Sequence, residues 1–415
     1  MRKGSILRAL KQSFQGAVPE SDGRVNLSHL DFVTGLIFCF LGDTKSFGLE
    51  AIRRFLIATF ERPISKGAFW ERLSRNRLKE ILHDLMGRLM NRLSSATRIG
   101  EELVHQLMVS AIYLVDSSSI TLRDGACESY PGTRTHAAVK WHACFDLLSG
   151  RMTWFGITAA SVHDRKCFPD IQSLTGKLII FDLGYWDYGL LMTIEAAKGF
   201  FLSRVKSNAV IWITEVIHGL STAVVGSKLS ALTFKRKRKA IIELLGEIVH
   251  KGQAKVYRVI GFWNPVEKKY HWYLTNLSVA AYTLYPLYRL RWQIELIFKA
   301  SKRSFNLDKR LTSNNDNIIE SLILSLIIAS FASCVVLEIG AKQLAEKEQW
   351  AISVQRIAHI VVLVAREFIH YLTTSSRKAA AALVGKITLL SGEMFEKNHR
   401  HRPTSLGQLN SLLAC

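Results

Sequence analysis

The order of apolar and polar positions divides the chain into stretches of different period. Residues 1 to about 105 keep a helical spacing. "LEAIRRFLIATF" (Leu49–Phe60) has it, and "ERPIS" follows, with Pro63 and Ser65 supplying a break and an N-cap. "KGAFWERLSRNRLKEILHDLMGRLMNRL" then resumes the period. Helix, tight break and basic helix outline a helix-turn-helix; the alternative is a plain helical bundle with a charged outer face.

Beyond this the spacing changes. "IYLVDSSSITL" (Ile112–Leu122), "AAVKWHACFDLL" and "RMTWFGITAA" are β-rich, the last two joined through a turn at "LSGR". "SVHDRKCFPDIQSL" is expected to be helical. "KLIIFDLGYWD" (Lys177–Asp187) reads as an apolar strand with an acid near its end, "YGLLMTIEAAKG" as a helix and "FFLSRVKSNAVI" as a strand. Three strands followed by alternating helix and strand predict a mixed α/β sheet. From about Trp212 to Asn276, short strands surround "FKRKRK", which suggests an inserted, mostly β subdomain. Ser321 to Leu337 is an uncharged run between Glu320 and Glu338, shorter than the ~20 residues a spanning helix usually needs, and is expected to be a buried core helix. The tail is helical and ends in basic "KNHRHR".

One stretch reverses the usual proportions of an amphipathic helix. In "YRLRWQIELIFKASK" (Tyr288–Lys302), a turn of about 100° per residue puts Arg291, Glu295, Lys299 and Lys302 at roughly 300°, 340°, 20° and 320° from Tyr288. These five residues make one narrow polar line on an otherwise apolar helix, whereas a surface helix has a narrow apolar stripe.

Charge sharpens the picture. The chain has 415 residues with 55 Lys and Arg against 34 Asp and Glu, a net charge of +21 and a pI near 9.8. That excess points to a polyanionic partner, nucleic acid or an anionic membrane surface. Arg72, Arg75, Arg77 and Lys79 could meet phosphates, and Lys235 to Lys239 suits a DNA backbone or a solvated loop. Of six cysteines no two form a C-x-x-C pair, which argues against a structural zinc site and fits reduced thiols in a cytoplasmic protein. "MRKGSILRALKQSFQ" has no apolar core long enough for a secretory signal, so no membrane role is expected.

Two acids end apolar runs, Asp116 after "IYLV" and Asp182 after "LIIF". Beside a core, such a charge is costly without a partner. With Glu295 they could supply three oxygen ligands to two Mg²⁺ ions, the clamp that in-line displacement at phosphorus requires. The other reading of each acid is a cap or an ion pair. His163 and Asp164 in "SVHDR" could line the site, though a capped helix start is the simpler reading. Asp124, Asp146 and Asp187 read as turn or cap residues, and His136 and His142 are poor Mg²⁺ ligands.

Tyr288-x2-Arg291-x3-Glu295-x6-Lys302 resembles, without a gap, the signature of bacterial DDE transposases of the insertion-sequence-four family. "LVDSSSITL" resembles that family's first-aspartate strand. "IIFDLGYWD" resembles its second, with Gly184 and Tyr185 after Asp182, and "FLSRVKSN" its Arg-x-Lys strand, through Arg204 and Lys206. The β insertion also falls where the family carries one. The resemblance covers about residues 110 to 305.

The resemblance implies a ribonuclease-H-like catalytic core with an inserted mostly-β subdomain (about 209–276), flanked by helical N- and C-terminal regions. The expected division is a DNA-binding domain at 1–105, a catalytic domain at 106–342 and a C-terminal region at 343–415 for dimerisation or DNA binding. It carries over Asp116, Asp182 and Glu295 as a triad for two Mg²⁺ ions, with Mn²⁺ substituting. Tyr288, Arg291 and Lys302 would contact terminal DNA and its phosphates, joined by Arg204, Lys206 and Lys299. Trp292 and Trp272 would receive an extruded base during hairpin formation. The expected activity is cut-and-paste transposition of an insertion sequence by nicking, hairpin formation and strand transfer. A homodimer would join two inverted-repeat ends and target DNA in the bacterial cytoplasm. The rivals are a non-catalytic end-binding relative and a stand-alone nuclease.

Overall fold

The computed structural model describes residues 4–21, 26–41, 48–93, 101–147, 151–234, 239–305, 313–340, 350–374 and 376–397. Six N-terminal helices come first: α1 (Gly4–Ala17), α2 (His29–Phe38), α3 (Leu49–Phe60), α4 (Lys66–Ser74), α5 (Asn76–Arg92) and α6 (Glu101–Leu107). Ser65 caps α4, accepting from the Ala68 N–H at 3.2 Å. The long basic period after the break is two helices, because Arg75 adopts an extended backbone between α4 and α5. Three of the four N-terminal cations expected to meet phosphates have partners within the protein. Arg72 lies over the Phe32 ring and donates to the Leu27 carbonyl at 2.9 Å, Arg75 pairs with Glu71, and Lys79 pairs with Glu320 at 3.3 Å.

The centre is one mixed sheet of nine strands in the order β3-β2-β1-β4-β5-β9-β8-β7-β6. The strands are β1 (Ile112–Thr121), β2 (Ala138–Asp146), β3 (Arg151–Ala159), β4 (Leu178–Phe181), β5 (Phe200–Arg204), β6 (Trp212–His218), β7 (Ile241–His250), β8 (Gln253–Asn264) and β9 (Lys269–Thr275). β1, β4 and β5 run parallel; the other pairings are antiparallel. β4 is buried at all four positions, as expected of a short strand between two parallel neighbours. After it, α7 (Tyr188–Ala196) crosses over to β5, its N-terminus capped by Asp187, which accepts from the Leu190 N–H at 3.0 Å.

The inserted β segment joins the central sheet, because β9 pairs with β5 and carries β6–β8 onto the same surface. One expectation changes here. The "SVHDRKCFPDIQSL" segment is not a helix but two short 3-10 turns, Asp164–Lys166 and Ile171–Leu174, separated at Pro169, whose ring removes a helical donor. Residues 235–238 of the basic run and the "NHRHR" of the tail lie outside the described residues, as does most of the "LSGR" turn.

Past the sheet come α8 (Ala281–Arg289), α9 (Trp292–Ser304), α10 (Asp316–Ser330), α11 (Ala332–Gly340), α12 (Val354–Leu363), α13 (Ala365–Thr373) and α14 (Arg377–Leu390). The uncharged run forms α10 and α11. Asp316–Gly340 is long and apolar enough to span a membrane, yet 78% of its most apolar window is buried inside this protein. One face of the sheet joins the N- and C-terminal helices in a continuous core through residues such as Leu114, Ile180, Leu202, Phe298 and Leu322. The other face carries a second core, with Val115, Ile179, Phe181 and Leu191.

On that second face His142 is fully buried, its Nδ1 2.9 Å from the Tyr185 hydroxyl and its Nε2 3.0 Å from that of Thr158. Burial, opposed by the charge of Asp164, pushes the imidazole down from 6.5 to about 4. The unfolded chain therefore binds more protons between those values, so this stability is complete above pH 6.5 and lost as the pH falls toward 4, up to about 3 kcal/mol. Urea midpoints against pH should fall across that window and fall less for His142→Gln. Parallel profiles for the two proteins would discount the neutral imidazole as the cause.

Candidate active site

The register of two parallel strands brings the first two acids together. Val115 of β1 pairs with Phe181 of β4, so Asp116 and Asp182 follow at adjacent positions, on backbones ~4.8 Å apart. Alternation places Asp116 on the face of Leu114, Asp182 on that of Ile180 and Arg204 on that of Leu202, and all three apolar residues belong to the helix-covered core. Glu295 reaches this face from α9. Phe298, one turn later, packs edge-on against Trp141 of β2 with centroids 4.8 Å apart, fixing the helix across the strand ends.

The polar line is not carried by a single helix. α8 ends at Arg289, and Arg291 sits in the turn before α9. α9 is also less covered than its composition suggests: Ile294, Phe298, Ala300 and Ser301 are buried, whereas Trp292 is 57% exposed.

From this turn Arg291 reaches the acids. Its Nη1 donates to Asp116 Oδ2 at 2.8 Å and its Nη2 to Glu295 Oε1 at 2.5 Å. Burial disfavours the guanidinium charge, yet Tyr288, Asp116, Asp182 and Glu295 around it push its pKa up. Asp116 also accepts from the Ser117 N–H at 2.8 Å. Burial outweighs Arg291 and this bond, and raises the Asp116 carboxyl to about 6. Tyr288 is buried against Tyr273, centroids 4.9 Å apart, and its hydroxyl lies 3.4 Å from Asp182 Oδ1. Burial pushes that phenol up to about 12.

Beside the acids opens a cleft of about 490 Å³, lined by Asp116, Ser117, Ser118, Glu295, Phe298, Lys299, Lys302 and Arg303. Lys302 Nζ donates to the Ser119 carbonyl at 2.8 Å. Lys206 Nζ is 3.4 Å from the Trp186 carbonyl, and the charge of Arg204 opposes the burial that raises the Tyr288 and Tyr273 phenols. Trp272 is not brought to the cleft. It neighbours Tyr273 on β9 and so faces the opposite side, where its ring covers Gly261 and meets Tyr270 and Phe234.

Among the described residues no three His, Cys, Asp or Glu side chains are drawn tightly enough to enclose a metal ion. Two of the carboxylates instead bind the Arg291 guanidinium, and the third acts on it through its field. Arg291 thus supplies the positive charge that faces these acids. The donor set is all carboxylate oxygen, which fits a hard divalent cation.

Asp164, which the sequence left open between lining the site and starting a capped helix, lies behind this cluster, where it pairs with Lys140 Nζ at 2.8 Å and accepts from Ser117 Oγ at 3.1 Å. Its sequence neighbour His163 does act as a cap, accepting from the Arg165 N–H at 3.4 Å. The partners of Asp164 lie on β2 and β1, and no local pattern shows that pairing.

Removing the guanidinium leaves Asp116 and Glu295 without their counter-charge. Arg291→Ala should destabilise the metal-free protein by roughly 3 kcal/mol, and Arg291→Lys should recover only part, since an ammonium lacks the planar fork that serves both acids. Denaturant titration in chelator checks this; wild-type stability in Arg291→Ala would show that the pairs contribute nothing.

Comparison with known proteins agrees with the residue pattern. The family model described as "Transposase DDE domain" matches residues 108–331, more than half of the chain. The protein y4zB of Sinorhizobium fredii, a transposase by name, is 28% identical over 222 residues, 52% of this chain and 58% of that protein. The transposase for insertion sequence element IS1151 of Clostridium perfringens is 23% identical over 291 residues, 57% of this chain and 60% of that one. The transposase for insertion sequence element IS231F of Bacillus thuringiensis subsp. israelensis is 21% identical over 359 residues, 75% of this chain and 74% of that one. The chain thus spans under two thirds of the length of the first two relatives. A solved synaptic complex of the piggyBac transposase with hairpin DNA superimposes over 94% of this chain and 82% of its own, with a TM-score of 0.46 and 10% identity. With more than half its length matched to that model, the chain belongs to the transposase DDE domain family.

Proposed function

We propose that this protein is a DNA transposase that moves an insertion sequence by cut-and-paste, with Asp116, Asp182 and Glu295 as its metal-binding triad. The observation that carries the reading is the convergence of these three carboxylates on one guanidinium beside a cleft lined with lysines. Isolated core-side acids are expensive to maintain, and a set that needs a cation is suited to phosphodiester chemistry. The strand order β3-β2-β1-β4-β5, with β1, β4 and β5 parallel, supports a ribonuclease-H-like core. The ungapped Tyr288, Arg291, Glu295, Lys302 spacing supports the insertion-sequence-four branch.

In this reading Asp116, Asp182 and Glu295 would hold two Mg²⁺ ions, or Mn²⁺ in their place, which would supply Lewis-acid activation of the nucleophile and charge stabilisation at phosphorus. The chain supplies alignment and charge. Asp116 and Asp182 fix two ligands on rigid strands, and Glu295 closes the set from α9. Lys299, Lys302 and Arg303 draw the phosphate backbone into the cleft, and Arg204 and Lys206 extend that cationic rim. Arg291 holds Asp116 and Glu295 in place and offers its charge to the scissile phosphate. Residues 1–105 would bind terminal DNA, 106–342 perform the chemistry, and 343–415 join two protomers so that both inverted-repeat ends and the target meet.

The test uses Mg²⁺ and labelled DNA carrying the element ends. Asp116→Ala, Asp182→Ala and Glu295→Ala should each abolish cutting while end binding persists. A variant that cuts at the wild-type rate removes that residue from the triad; binding without cutting by the wild type would return the non-catalytic reading, and cutting without joining the nuclease.

Of the two tryptophans, only Trp292 has an exposed ring beside Glu295. Trp292→Ala should leave first-strand nicking near normal and slow hairpin formation roughly ten-fold, for about 1.4 kcal/mol of lost base stacking. Trp272→Ala should act on sheet stability instead. A denaturing gel resolving nicked, hairpin and blunt products checks the first and denaturant titration the second, and equal slowing of every step by Trp292→Ala would refute a stacking role.

A further inference from the structure

We propose that Asp164 is a positioning residue that sets the separation of Asp116 and Asp182 from the opposite face of the sheet; this rests on the reading of those acids as a metal-binding pair. Its carboxylate meets three segments at once. Oδ1 pairs with Lys140 of β2 at 2.8 Å and accepts from Ser117 of β1 at 3.1 Å. Oδ2 lies so close to Gly184 that a Cβ there would come within 2.5 Å of it.

Each contact is one step from an acid or its strand. Ser117 follows Asp116 and donates its N–H to that carboxylate, while alternation sends its side chain through to the other face. Gly184 lies in the turn that begins at Asp182. Lys140 pairs with Ser119 in register, and its ammonium also donates to the Val162 carbonyl at 2.8 Å, which fixes the segment carrying Asp164. Asp164 therefore joins the strand of the first acid to the turn of the second, at a point where no β-ladder continues, since the β1–β4 pairing ends at Val115 and Phe181.

The contact also accounts for glycine at 184. Only a residue without a Cβ lets the carboxylate approach this backbone. Removing the carboxylate frees the Ser117 hydroxyl and the turn, and leaves Lys140 without its counter-charge behind the triad. The two acids then lose their fixed spacing while keeping their identity.

The experiment uses the full chain, Mn²⁺ as the probe and the free-ion EPR signal as the readout, with circular dichroism reporting the fold. Asp164→Ala should bind Mn²⁺ about ten-fold more weakly than wild type, the lower end of what outer-shell partners contribute. Asp164→Asn, which keeps the acceptor for Ser117 and loses the charge opposite Lys140, should fall between. Wild-type affinity in folded Asp164→Ala overturns the proposal. Should that variant not fold, Gly184→Ala asks the same question, because its methyl displaces the carboxylate; a comparable loss supports the tie and wild-type affinity overturns it. If the wild type binds no Mn²⁺, the metal reading of the triad fails by itself. Hydrogen exchange then decides the tie: faster exchange at residues 182–186 in the variant supports it, and an unchanged rate overturns it.

Discussion

Three carboxylates on one sheet end repel each other, and that repulsion governs how this region is built. Two unit charges 4 Å apart interact by about 4 kcal/mol at an effective dielectric of 20, too much to leave unanswered in a domain of ordinary stability. The protein answers it in two ways. Arg291 places one guanidinium between Asp116 and Glu295, and burial raises the Asp116 carboxyl to about 6, which eases its neutralisation. Arg291 lies in the turn at Leu290 and Arg291, between α8 and α9.

The remainder of the fold supplies rigidity around that charge cluster. Asp116 and Asp182 lie beside strands buried on both faces, with the helix-covered core above and the His142, Tyr185 and Asp164 contacts below. α9 is held by Phe298 on Trp141, and the buried α10 lies in the same core. The insertion contributes more than an appendage would. By extending the sheet from β5, it places Tyr273 against Tyr288 and so carries the wall of the site onto β9. The phosphate chemistry proposed for the cleft needs such a frame, because its catalysis is positioning and charge rather than covalent intermediates.

Periodicity and composition determined much by themselves. Apolar runs ending in an acid located Asp116 and Asp182, since a strand's burial and a charge's cost are both local properties. The spacing of Tyr288, Arg291, Glu295 and Lys302 marked the segment that reaches them, and Ser65 marked a helix start. Local pattern also misled. It read one helix through Arg291 where there are two, and a helix at Asp164 where Pro169 permits only short turns. The N-terminal cations Arg72 and Lys79 also meet Phe32 and Glu320, partners that no local window contains.

What only the tertiary structure decided was pairing across distance. Parallel register put Asp116 beside Asp182, strand alternation turned Trp272 away from the cleft while Trp292 stayed open, and Asp164 found Lys140 and Ser117 on other strands. The reason is physical. Hydrophobic period fixes which face of an element is buried, but the partner of a polar side chain depends on which strands the chain brings together and in what register. That choice belongs to the packed sheet as a whole.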